Sequence, residues 1–181
     1  MQKHVIAYCK KIDGVTVSTD KAGNIYVRKG TAGTYPCVVA HLDEVHLPNK
    51  NKIIMTCGDI LAGADKKAMT PCGIGADDKN GIWVALTLLS TEKDLKCAFF
   101  VGEEIGCVGS NKANMEFFAD CRFVLQCDRK GSSDFITVAN SVELCDKEFA
   151  KRCGIAAFGY KTERGLSTDV MTLKQRGLKV C

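Results

Sequence analysis

The residues best equipped for chemistry in this chain are carboxylates, and several of them stand side by side. Asp77 and Asp78 lie between glycines in Gly75-Ala76-Asp77-Asp78-Lys79-Asn80-Gly81, ahead of an apolar run, Ile82 to Leu89, of helical length. Glu103 and Glu104 follow the run Lys96 to Val101 through a single glycine. The run Tyr35 to Ala40 ends abruptly in His41-Leu42-Asp43, and Arg122 to Cys127 ends in Asp128. Adjacent carboxylates repel, so solvent, a salt bridge or a cation must hold each pair. Singly, each motif has an ordinary explanation. The Asp pair can cap a helix N-terminus, where the dipole favours acids. His-x-Asp can be a hydrogen-bonded pair, Glu-Glu a solvated face and Asp128-Arg129-Lys130 a surface turn, and His46 reads as surface. Repetition of one pattern, apolar run then acid, around the Asp-Asp loop favours a metal site.

The runs that carry these acids have the length of buried strands, and helical patterns alternate with them. His4 to Ile12 carries a helical stripe. Val15 to Thr19 and Asn24 to Arg28 read as a hairpin, as do Ile53 to Cys57 and Ile60 to Ala64 around Gly58-Asp59. Asn111 to Phe118, Leu144 to Cys153 and Thr168 to Gln175 are expected helices; Phe135 to Ala139 and Leu178 to Cys181 are expected strands. The pattern predicts a single α/β domain over residues 1–181, three layers α/β/α with a mostly parallel, mixed central sheet. In such a sheet the C-terminal strand ends share one edge, where ligands bind, so the acids should converge. Five or more carboxylates with one imidazole cannot stay ionised together without cations. Mixed nitrogen and oxygen ligands suit zinc, with manganese or cobalt as alternatives. Two ions would spread the charge better than one, since a carboxylate can bridge them.

Composition narrows the setting. Lys and Arg are scattered and the net charge is only +4, which gives no footprint for nucleic acid. No apolar segment is long enough to span a bilayer, and Met1 to Lys11 does not have the charge order of a signal peptide. The 11 cysteines are odd in number, form no CxxC pair, and include Cys37, Cys97 and Cys127 inside apolar runs. They read as reduced thiols in a cytoplasmic protein rather than a disulfide framework.

Ala40-His41-Leu42-Asp43, Gly75-Ala76-Asp77-Asp78-Lys79, Gly102-Glu103-Glu104-Ile105-Gly106 with Gly109-Ser110, and Asp128 resemble, in that order, the motifs of the co-catalytic zinc exopeptidases. The peptidase T and aminoacylase/carboxypeptidase G groups are the most similar. Gly165-Leu166-Ser167-Thr168-Asp169 is similar to a later family segment. The resemblance implies that His41, Asp77 and Asp128 bind one zinc, with Asp77 bridging to a second held by Glu104. It implies that Asp43 orients the His41 imidazole and that the Asp77–Asp78 peptide is cis. Glu103 would be the general base, taking a proton from the attacking water and passing it to the leaving amine. The implied substrate is a short peptide or an N-acyl amino acid, and no nucleic-acid or membrane partner is implied.

Two departures qualify the resemblance. Only a few dozen residues separate Asp128 from the Ser-Thr-Asp segment, so the family's dimerisation (lid) domain is expected to be absent, which favours an aminopeptidase. The family's last zinc ligand is a histidine after the strand that begins here at Leu178, whereas this chain has only His4, His41 and His46. The second site is therefore expected to lack a ligand, with the chain truncated at its C-terminus. A non-catalytic metal- or peptide-binding domain is the alternative reading. A magnesium-dependent phosphohydrolase ranks third, because an imidazole beside a Glu pair fits zinc chemistry better.

Overall fold

A strand buried on both faces sends successive side chains into opposite cores, and three strands of this chain do so. The structure is a computed structural model that describes residues 1–46 and 49–179. In chain order, α1 (Gln2–Cys9) precedes the hairpin β1 (Val15–Thr19) and β2 (Ile25–Lys29), then β3 (Tyr35–His41). Next come β4 (Lys52–Cys57), β5 (Ile60–Asp65) and β6 (Thr70–Cys72), then α2 (Ala76–Thr91) and β7 (Leu95–Phe100). The chain continues through α3 (Val108–Asn111), β8 (Cys121–Gln126), β9 (Asp134–Ala139), β10 (Val142–Glu143), α4 (Lys147–Arg152), β11 (Lys161–Gly165) and α5 (Asp169–Gln175).

The main sheet has the order β1-β2-β7-β3-β8. β3 runs parallel to both β7 and β8, while β2 joins β7 antiparallel. Val38, Ala40, Cys97 and Phe99 face one core with Val5 and Cys9 of α1 and Ile82, Ala85 and Leu89 of α2. Their neighbours Cys37, Val39, Ala98 and Phe100 face the other, with Phe118, Val170 and Leu173. The result is a single α/β domain with helices on both faces of a mixed sheet. Burying a side chain the size of Leu89, which is fully enclosed, contributes about 1.5–3 kcal/mol.

Several expected elements differ. Asn111 to Phe118 is not one helix: α3 ends at Asn111, and a 3-10 turn occupies Met115–Phe118 after Asn114 caps it through Glu116 N–H. The helix expected from Leu144 begins only at Lys147, where the Asp146 side chain accepts from Phe149 N–H. The run Arg122 to Cys127 was expected to be buried on both sides, but β8 is the sheet edge and is only partly covered. Short β6, β10 and β11 had no pattern to reveal them, and β9, β10 and β11 make a small separate sheet. Leu178 and Lys179 are not in a strand, and the rest of that expected strand lies outside the described residues. No helix among the described residues is long and apolar enough to cross a membrane.

Candidate metal centre

The parallel ladder sets the frame of the site. His41, the last residue of β3, is paired with Phe100, and Leu42 N–H still donates to Phe100 C=O at 2.8 Å. The chain therefore leaves β7 beside His41, and Gly102, at φ +67°, turns it into Glu103 and Glu104. Asp43 ties the two strand ends together: its Oδ1 accepts from Glu103 N–H and its Oδ2 from Glu104 N–H, both at 3.1 Å. The same carboxylate lies 3.6 Å from His41 Nδ1, facing the ring as an orienting group would.

Across the imidazole, His41 Nε2 is 2.9 Å from Asp77 Oδ1 and 3.8 Å from Asp128 Oδ2. Asp77 belongs to the first turn of α2, and the Asp77–Asp78 peptide is cis. Lys79 steadies this turn, donating to Ile74 C=O at 3.1 Å and Gly75 C=O at 3.2 Å while pairing with Glu44. The two aspartates face different partners. Asp78 is buried, with Oδ2 accepting from His41 N–H at 3.2 Å and Oδ1 from Gly81 N–H at 2.9 Å. Asp77 presents a side chain that is 68% exposed. Two groups of side chains are close enough to share an ion: His41, Asp77 and Glu104, and His41, Asp78 and Asp128. Sequence reasoning grouped His41 with Asp77 and Asp128 around one ion and assigned Glu104 to the second. In the structure Asp77 and Asp128 both approach His41 Nε2, but Asp77 shares an ion-sized group with Glu104 and Asp128 shares one with Asp78.

This gathering of acids distorts their titration. Burial, then the charge of Asp128, pushes Asp78 up to about 8. Burial raises Glu103 and Glu104 as well, with neighbouring carboxylates adding to it. Burial also raises Asp128, although His41 opposes the shift. Burial alone would depress His41, yet Asp128, the hydrogen bond to Asp77 and the charges of Asp78 and Glu103 carry it up to about 9. His41 Nδ1 and Glu104 Oε1 are buried without hydrogen-bond partners, a state that normally costs about 1–3 kcal/mol per group. Nδ1 faces Asp43, so Nε2, which faces Asp77 and Asp128, is the ring atom free to ligate, and imidazole among carboxylates is the donor set that zinc or a similar divalent ion takes.

Three residues of this region escaped sequence reasoning. Asn24, fully buried, donates to Gly109 C=O at 3.0 Å and accepts from Val101 N–H at 3.3 Å, so the first hairpin holds both ends of the acid loop. Asp169 was seen only as part of a motif; it is fully buried, accepts from Ser110 Oγ at 2.5 Å, and its Oδ2 has no partner. Gln126 lies two residues before Asp128 and gave no signal. Two cavities flank Asp128. One, of about 220 Å³, is lined largely by apolar side chains, among them Phe135, Ile136, Leu144, Phe149 and Leu166. The other, of about 540 Å³, is polar and includes Asp77, Asn80, Arg129 and Lys130.

No protein-family model and no curated protein matches the sequence. Solved structures do match in fold. A tripeptidase from Staphylococcus aureus superposes with a TM-score of 0.57 at 20% identity, over 75% of this chain and 38% of that one. The aminopeptidase PepT from Bacillus cereus gives 0.59 at 18% identity, over 76% of this chain and 40% of that one. The Pyrococcus horikoshii TET1 peptidase gives 0.60 at 14% identity, over 97% of this chain and 82% of that one. The chain shares the α/β fold of these peptidases. It spans less than half the length of the tripeptidase and of PepT.

Proposed function

We propose that this chain is the catalytic domain of a metal-dependent exopeptidase, of aminopeptidase or tripeptidase type, acting on short peptides or N-acyl amino acids. The observation that carries the reading is the ring of carboxyl groups around His41, with Glu104 Oε1 buried and partnerless among them, at the shared edge of three parallel strands. A fold shared with a tripeptidase and with PepT supports it. His41, Asp77 and Asp128 would hold one zinc, and Asp77 with Glu104 would hold part of a second. Asp78 is better suited to support than to ligation, because both its oxygens already accept backbone N–H groups. Zinc bound there would polarise a carbonyl and lower the pKa of a water to about 7.

The chain's own groups supply the rest. Glu103 is half-buried beside the ring, its Oε1 facing Cys107 Sγ at 3.8 Å. A carboxylate held there suits a base that takes a proton from water and returns it to the leaving amine. Asp43 fixes Glu103 and Glu104 through their N–H groups. The apolar cavity beside Asp128 offers a place for a substrate side chain, and the polar one beside Asp77 a place for its backbone. Fully buried thiols at Cys9, Cys37 and Cys97 suit a reducing, cytoplasmic setting.

The test is hydrolysis of aminoacyl-anilides and tripeptides with and without a chelator. Glu103→Ala should lower the rate by about 10²–10⁴-fold while leaving zinc bound. Hydrolysis unchanged in that variant would remove Glu103 from the mechanism. One observation favours a second reading, a non-catalytic metal-binding domain: both candidate groups draw on the same imidazole, His41. That reading predicts tight binding of one ion and no turnover.

A further inference from the structure

Gln126 sits at the end of β8, two residues before Asp128, and its amide orientation is fixed by its neighbours. One end accepts Val170 N–H at 3.1 Å and Thr168 Oγ–H at 2.6 Å. A backbone N–H can only donate, so the atom facing it must be the amide oxygen. The nitrogen is therefore turned the other way, where Nε2 donates to Asp128 Oδ2 at 2.9 Å. That same Asp128 oxygen is the one 3.8 Å from His41 Nε2. Thr168, which caps α5, and Val170 in its first turn are thus linked through one amide to the Asp128 carboxylate.

We propose that Gln126 is a positioning residue for the metal centre, holding Asp128 toward His41 as an acceptor with Thr168 and Val170 locking its polarity. The inference rests on the reading of Asp128 as a ligand. Without Gln126, Asp128 Oδ2 would lose the donor that holds it on the His41 side. With it, the seating of α5 against the sheet is coupled to ligand geometry. Because the apolar cavity is also lined by Gln126, Thr168 and Val170, a side chain entering there would press on the group that aims Asp128.

The test is zinc affinity, measured by chelator competition on the purified chain, together with the visible spectrum of the cobalt-substituted protein. Gln126→Leu should bind zinc about 10–100-fold more weakly, the usual effect of removing an outer partner of a ligand. Thr168→Val should show a smaller loss, and Thr168→Ser, which keeps the hydroxyl, should restore affinity. The cobalt spectrum should change in Gln126→Leu and Thr168→Val while the melting temperatures of the metal-free proteins stay close together. Wild-type affinity in Gln126→Leu overturns the inference. If that variant does not fold, equal affinities in the two Thr168 variants overturn it instead. A wild-type chain that takes up no zinc overturns the reading of the centre, and the inference falls with it.

Discussion

At the scale of the residue, the same carboxylate chemistry is divided among different jobs by what each oxygen touches. Asp77 is exposed toward the cleft, Asp78 is spent on backbone N–H groups, and Asp43 bridges two loop amides. The family resemblance gave the bridging role to Asp77 alone, and the hydrogen bonds from His41 and Gly81 N–H show how Asp78 is engaged instead. Asp43 carries a direct prediction. Asp43→Ala removes the acceptor for both Glu103 and Glu104 N–H and the group facing His41 Nδ1. Zinc affinity should fall by about 10–100-fold, measured by the same competition titration. Undiminished affinity would show that the loop holds its shape without Asp43.

At the scale of the element, the loop that carries Glu103 and Glu104 is mounted on the first hairpin. Asp20 Oδ2 accepts from Tyr26 Oη at 2.7 Å and from Asn24 Nδ2 at 2.8 Å, and Asn24 reaches on to Gly109 and Val101. Burial would raise Asp20, but the hydrogen bonds from Tyr26, Asn24 and Ala22 outweigh it and hold its carboxyl below the usual range. A carboxyl lowered in the fold contributes stability at pH above its unfolded value of about 3.9. That stability is lost as pH falls through the lower folded value, where the folded state also takes up the proton. Asp20→Asn should therefore flatten the acid limb of the melting temperature against pH, and an unchanged limb would count against the network. The main strands and α2 were legible because buried runs and helical periodicity leave plain patterns. β6, β10 and β11 were not, being three, two and five residues long with no distinctive alternation. The candidate ligands were legible because His41, Glu104 and Asp128 follow apolar runs and Asp77 belongs to an Asp pair between glycines ahead of one. Asn24 and Gln126 were not, because their importance lies in partners 85 and 42 residues distant, which no local spacing records.

At the scale of the molecule, two cores on opposite faces of one sheet clamp β3 and β7, so the edge that carries His41 and the acid loop has little freedom to relax away from its own charge. A rigid frame that forces carboxyl groups together must either protonate them or pair them with a cation. Burial raises Asp78, Glu103, Glu104 and Asp128, which favours the first outcome where no cation is bound, and the proposed function is the second. Both candidate groups share His41, so the account expects one firmly held ion for this chain, with any second held more weakly. The most direct measurement is zinc content per chain after exhaustive dialysis, in the wild type and in His41→Ala. One zinc is expected in the wild type and none in the variant. A wild-type chain that retains no zinc, or a His41→Ala chain that retains it, would contradict it.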